Sequence, residues 1–212
     1  MVAGEVSRSV DALTASEGKA RRSIGARRNP ASAEAILEAA EAVLQEDGYS
    51  GFSIEAVARR ARAGKPTIYR WWPSKAALLI DVYQRQKHLD YPDTGDLEGD
   101  LVAFLAGLLA HWRDTPSGSI FRSIIAEAQS DEAAAKALTA YAASRRVEQG
   151  KITERAKARG EVGDDVDPLQ VADMVSSYAR VRLLTGRLDE DEARIRAGVR
   201  IIVHGIKTPR SG

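Results

Sequence analysis

Residues 52–79, FSIEAVARRARAGKPTIYRWWPSKAALL, admit few folds. Ser53 can cap a helix whose apolar face is Ile54, Val57, Ala58 and Ala61, at i, i+3, i+4 and i+7. Ala63-Gly64 breaks it. Lys65-Pro66-Thr67 opens a second helix, with Pro66 in the first turn, where a missing N–H costs nothing. This helix ends at Trp71 or Trp72, because Pro73 disfavours helical geometry in the residue before it. Ser74 then caps a third, which buries Leu78, Leu79 and Val82. Two short helices, a tight turn and a longer helix follow from spacing and caps alone.

The charge in this stretch is one-sided: Arg59, Arg60, Arg62, Lys65, Arg70 and Lys75 against a single acid, Glu55. A short second helix with Lys65, Thr67, Tyr69 and Arg70 on its outer face has the chemistry for DNA. Hydroxyls reach phosphates or base edges, and an arginine grips guanine with two hydrogen bonds. A helix-turn-helix sets such a helix in the major groove while the preceding one crosses the backbone. Ser53 and Lys75 sit at helix starts, where backbone N–H groups attract phosphate. The plain alternative is a basic helical hairpin on a protein surface.

The same residues resemble the DNA-binding region of the TetR family of transcriptional regulators. The pattern reads Lys65, Thr67, Ile68, Tyr69, Trp72, Pro73, Ser74, Lys75, Leu78, Leu79, and the likeness extends back to Asn29. The family usually has Gly in the turn where this chain has Arg62, so the glycine is expected to be shifted to Gly64. The resemblance implies an all-α protein: an N-terminal three-helix helix-turn-helix domain and a C-terminal helical ligand-binding and dimerisation domain. Its expected parts are a disordered basic arm (1–28), the DNA-binding domain (29–74), a connecting helix (75–90), the C-terminal domain (91–207) and a tail (208–212).

Composition agrees. Apolar residues make up 44% of 212, enough for a substantial core, and formal net charge is only +1, so the basic charge is local. The chain has no cysteine, which removes disulfides, thiol nucleophiles and thiolate metal sites. The polar N-terminus is no signal peptide, and no apolar run is long enough to span a bilayer. A cytoplasmic protein without membrane contact or cofactor is expected. In the arm, Arg27 and Arg28 are candidates for phosphate or minor-groove contact; a solvated tail is the alternative.

Helix one starts at Pro30 or Ser32, buries Ile36, Ala40, Val43 and Leu44, and stops at Gly48. Tyr49, Phe52 and Trp72 read as core anchors, and Trp71 as either core or contact. The helix from Ser74 runs to about Leu89. Tyr91 to Gly99 is a loop and the domain boundary, although the next apolar stripe already begins at Leu97 and runs to Trp112. Further helices cover Ile120 to Gln129, then Ser130 or Asp131 to Gly160 with a bend at Gly150. Pro168 opens a helix to Thr185, and Asp189 caps the last one.

Phe104, Leu108, His111, Trp112, Phe121, Ile125 and Tyr141 are candidates to line an effector cavity, as the resemblance implies; equally, aromatics at helical spacing fill cores. His111 and Trp112 are preferred, since each carries a polar handle near a helix end. The last two helices are apolar on more than one side. Val171, Val175, Tyr178, Ile195, Val199 and Ile202 are candidates for a homodimer interface, and a two-fold dimer would match a palindromic operator.

Enzyme signatures fail. Gly64-Lys65-Pro66-Thr67 is no phosphate loop: Arg59 stands where the upstream glycine belongs and Pro66 where the hydroxyl belongs. His88, His111 and His204 lack metal-type spacing, and Asp164, Asp165 and Asp167 lack the glycine and terminal glutamate of a calcium loop. The expectation is a non-enzymatic, sequence-specific regulator, most simply a repressor released by a small-molecule effector. A helical protein-binding scaffold is the alternative, separated by the steep salt dependence of duplex binding.

Overall fold

The computed structural model describes residues 30–86 and 90–205, and among these every regular element is a helix. In order they are α1 (Pro30–Gly51), α2 (Ile54–Ala61), α3 (Lys65–Trp71), α4 (Lys75–Gln86), α5 (Leu97–Asp114), α6 (Ser117–Glu127), α7 (Glu132–Ala158), α8 (Pro168–Thr185) and α9 (Glu192–His204). The arm residues Arg27 and Arg28, His88 and the tail lie outside the described residues.

The caps explain where the helices begin. Ser53 Oγ accepts from Ala56 N at 3.1 Å and starts α2; Ser74 Oγ accepts from Ala77 N at 3.0 Å and starts α4. Asp131 caps α7, and α8 opens on Pro168, both as expected. The last helix is capped by Asp191, not Asp189. Helix α1 is interrupted at Gly48, as expected, where the backbone leaves helical geometry (φ 65°, ψ −172°), and a short helical segment follows to Gly51. Helix α7 is continuous through Gly150, whose missing side chain serves another end. A Cβ there would lie 3.2 Å from Leu169 Cδ2, so the glycine lets α8 begin close against α7.

The turn between α2 and α3 corrects the expectation of a shifted glycine. Arg62 itself adopts the left-handed conformation (φ 51°, ψ 37°) that closes α2, with its N–H directed at the Ala58 and Arg59 carbonyls. Gly64 is extended (φ −73°, ψ 143°) and is the N-cap residue of α3. The left-handed position therefore stays where the family pattern has its glycine, and an arginine fills it.

The head forms around Ile36, Val43, Phe52, Val57, Ile68 and Trp72, all buried. Each such side chain removed from water contributes about 1.5–3 kcal/mol before entropy is counted. Helix α4 packs against α1 on one side and against α6 and α7 on the other, so it belongs to both halves. Leu78, Leu79, Val82 and Tyr83 are fully buried along it. The body is built on α5, which touches α6, α7, α8 and α9, with α7 and α8 paired along much of their length.

The loop before α5 is pinned rather than loose. Asp100, fully buried, accepts from Thr94 N at 2.7 Å and Thr94 Oγ1 at 2.8 Å, and faces Arg159 at 3.7 Å. Arg155 donates to the carbonyls of Tyr91 and Pro92, and Glu161 accepts from Leu97 N at 2.8 Å. A buried carboxylate is tolerated here because hydrogen bonds and a guanidinium offset its lost hydration.

Candidate nucleic-acid interface and ligand cavity

Helix α3 is amphipathic over seven residues. Ile68 is fully buried and fixes the helix to the head; Tyr69 is 49% exposed, Lys65 and Arg70 are exposed, and Thr67 is half-buried. At its C-terminal end Trp72 Nε1 donates to Asp81 at 2.7 Å, which ties α3 to α4. Trp71 is half-buried, its ring 6.2 Å from that of Trp72.

The surrounding cations differ in how far they are committed. Lys65 Nζ lies 2.7 Å from Glu55, and that hydrogen bond raises the lysine and lowers the glutamate in pKa. Both are exposed, so water and salt screen the pair and hold the lysine only loosely. Arg60 is held by Glu46 through two hydrogen bonds of 2.5 and 2.7 Å. Lys75 Nζ sits over the Tyr49 ring, 4.2 Å from its centroid. Ser53 spends its hydroxyl oxygen on the α2 cap, leaving the helix start as its means of meeting an anion.

In the body, a cavity of about 500 Å³ opens between α5, α6, α7 and α8. That is within the range of small-molecule sites. Leu108, Trp112, Phe121, Ile125 and Tyr141 line it, as five of the seven candidates. Phe104 and His111 do not. Phe104 stacks on Tyr91 beneath the preceding loop, with centroids 5.6 Å apart, and His111 meets Tyr83 edge-on at 6.5 Å. His111 and Trp112 are neighbours on one helix and so point about 100° apart, which lets only one of them face the cavity.

Tyr83 is the aromatic that spacing missed. It reaches from α4 into this cluster, stacks on Phe121 at 5.2 Å, meets Tyr141 edge-on at 5.9 Å, and accepts from Trp112 Nε1 at 2.8 Å. Burial pushes the Tyr83 hydroxyl up to about 12 and that of Tyr141 up as well, so both are neutral near pH 7. The polar wall was also missed: Gln129, Arg145, Arg146, Gln149, Asp173, Ser176 and Arg180. Part of its signal was present, because Tyr141, Arg145 and Gln149 repeat at i, i+4, i+8 on one face of α7.

Helices α8 and α9 carry two apolar stripes. Val175, Ile195 and Val199, candidates for a subunit interface, turn inward and are at most 2% exposed. Val171, Tyr178 and Ile202 are half-buried. The outward stripe is instead Met174, Val181, Leu184 and Ile201, each about half exposed. Periodicity finds both stripes and does not say which packs on α5. Beside them Arg182 lies 3.2 Å over the Tyr178 ring and 2.6 Å from Glu190, which also accepts from Tyr178 Oη at 2.8 Å.

A three-helix head with an outward basic recognition helix, carried on a helical body that encloses a cavity, defines a helix-turn-helix regulator of two-domain type. Comparison with known proteins gives the family. Residues 36–82 match the model for bacterial regulatory proteins of the tetR family, and residues 91–202 match the tetracyclin repressor-like C-terminal domain. The chain is 30% identical over 163 residues to the HTH-type regulator YdeS of Bacillus subtilis, covering 76% of this chain and 82% of that one. It is 34% identical over 161 residues to the DNA-binding transcriptional repressor TetR of Mycobacteroides abscessus, covering 74% and 84%. The crystal structure of the TetR family regulator SCO0332 superposes with a TM-score of 0.72 at 32% identity, over 84% of this chain and 99% of that one. The chain belongs to the TetR family of DNA-binding transcriptional regulators.

Among the described residues no group of three or more His, Cys, Asp or Glu is placed to hold a metal ion, and no helix is long and apolar enough to cross a membrane.

Proposed function

We propose that the protein is a homodimeric, effector-responsive repressor that binds a palindromic operator and acts in the cytoplasm, where the chromosome is. The observation that carries this reading is the orientation of α3: Ile68 is locked in the head while Tyr69, Arg70 and Lys65 face outward. Thr67, Tyr69 and Arg70 contact base edges and the adjoining phosphates. Lys65, Lys75, the start of α2 at Ser53, and Arg27 and Arg28 in the arm hold the backbone. The repressor assignment follows the M. abscessus relative, which carries that description.

Two recognition helices come to one duplex when α8 and α9 pair with those of a second copy through Met174, Val181, Leu184 and Ile201, flanked by Val171, Tyr178 and Ile202. The effector occupies the cavity at Trp112, Phe121 and Tyr141. Tyr83 on α4 packs against Phe121, Tyr141 and Trp112 of that cavity's wall, so a ligand that shifts those rings bears on the helix on which the head is mounted. The expected effect is a change in the separation of the two heads and loss of operator binding.

Selection of bound sequences from random duplex DNA tests the reading: a palindrome with half-sites about one helical turn apart is expected. On that sequence Arg70→Ala costs about 1–3 kcal/mol and relaxes preference at one position, whereas Lys75→Ala weakens all duplexes alike and flattens the salt slope. Arg70→Ala with unchanged affinity and preference would remove α3 from the interface.

A further inference from the structure

The polar wall of the cavity is unevenly supplied. It holds three arginines, Arg145, Arg146 and Arg180, and one acid, Asp173. Asp173 is already engaged by Arg146 at 2.9 Å. Glu148, one turn beyond Arg145 on α7, is held by Lys151 at 2.8 Å. Arg180 is exposed at the mouth, where water and salt screen it. Arg145 is different. It is half-buried and its Nε is buried without a hydrogen-bond partner; Glu148 acts on it through space while Lys151 holds that carboxylate directly, and its guanidinium also bears on the Tyr91 hydroxyl. One of its terminal nitrogens reaches Ser144 Oγ at 3.3 Å, and its guanidinium stands 5.9 Å from the Tyr141 ring centroid.

Hydrogen-bonding capacity leans the same way. Gln149 is buried on the same face of α7, and its carbonyl oxygen is taken by Ser176 Oγ at 2.5 Å. What this wall offers a ligand is therefore its N–H groups, from Gln149 and Arg145: donors, with one half-sheltered positive charge whose Nε no protein group accepts from. Leaving a buried donor of a half-buried cation unsatisfied is costly, and the group that satisfies both the donor and the charge is an anionic acceptor. The opposite wall is Leu108, Trp112, Phe121 and Ile125, which is apolar.

From these juxtaposed walls, and resting on the effector reading above, we infer that the cavity takes an amphipathic organic monoanion: a hydrophobic body against Trp112 and Phe121, and a carboxylate head on Arg145. A single half-sheltered cation calls for a single negative charge. The planar fork of a guanidinium matches the two oxygens of a carboxylate, and its binding is charge-assisted. Arg180 at the mouth draws the anion in and adds little once it is seated. A neutral body of the same shape leaves Arg145 Nε as it is and binds more weakly.

Calorimetric titration of the full chain with matched pairs tests this: 2-naphthoate against 2-naphthamide, and decanoate against 1-decanol. At least one carboxylate is expected to bind one per protomer and at least tenfold more tightly than its neutral partner. Arg145→Met erases that preference, Arg145→Lys retains most of it, and Arg180→Met changes affinity less than threefold. Equal binding of the paired compounds, or a preference that survives Arg145→Met, overturns the assignment of the head group. If the neutral compounds bind and Leu108→Trp abolishes their binding, the cavity is still the effector site and only its charge selectivity is wrong. If no compound of either kind binds, the effector reading and this inference fall together.

Discussion

Arg62 occupies a backbone region that costs an L-residue about 1–2 kcal/mol and a glycine almost nothing. Its neighbours enforce the conformation: the amide of Ala63 bonds to the Ala58 carbonyl at 3.0 Å, closing α2 before the turn into α3. Arg62→Gly is expected to stabilise the protein by about 0.5–1 kcal/mol, after the entropy glycine adds to the unfolded chain is subtracted. Urea unfolding measures this as a raised midpoint at unchanged slope, while the preferred DNA sequence stays the same. An unchanged or lowered midpoint would show that the arginine's own contacts outweigh the strain. At this scale the sequence was legible wherever one residue decides one bond. Ser53, Ser74 and Asp131 cap as their side chains dictate. Asp189 and Asp191 are the same residue type two positions apart, and only the packing of α9 selects between them.

Whole elements were read more surely than their faces. The prolines at 66, 73 and 168 place helix starts and stops to within a residue or two, because a missing N–H acts locally. Which side of α8 or α9 faces inward depends on α5, which lies far away in sequence. The same holds for the cavity, whose polar wall is assembled from α7 and α8. One tie between distant elements is testable. Glu98 on α5 accepts from Arg196 at 3.1 Å and from Arg200 at 3.2 Å on α9, with His204 at 3.4 Å. The hydrogen bond from Arg196 first, then those from Arg200 and His204, hold its carboxyl below the usual 4.5. A depressed carboxylate stabilises the fold above its unfolded pKa and loses that contribution as pH falls through its folded value. Glu98→Gln is therefore expected to lower the thermal midpoint at pH 7 and to match the parent near pH 3. A difference between the two proteins that does not change with pH would mean that packing, not charge, makes this tie.

At the scale of the molecule, the exposed apolar stripe of α8 and α9 is the feature that a lone protomer leaves without a role. Scattered apolar residues on a surface need no explanation, but four on two adjacent helices form a patch of the kind that mediates association. Replacing Leu184 and Ile201 together by glutamate is expected to give a monomer in sedimentation at micromolar concentration, with helical content unchanged. Affinity for a palindrome should fall about 100-fold or more, because the second half-site is no longer presented at high effective concentration. A variant that stays dimeric would place the subunit contact elsewhere.

The chain has three tryptophans, and all fall where these proposals place events. Trp71 and Trp72 close the recognition helix, and Trp112 stands in the cavity wall with its N–H bonded to Tyr83. Indole emission responds to the polarity around the ring, so the molecule carries native optical reporters at both ends. Single Trp→Phe replacements would let arrival of a duplex and arrival of an effector be followed separately, without a dye.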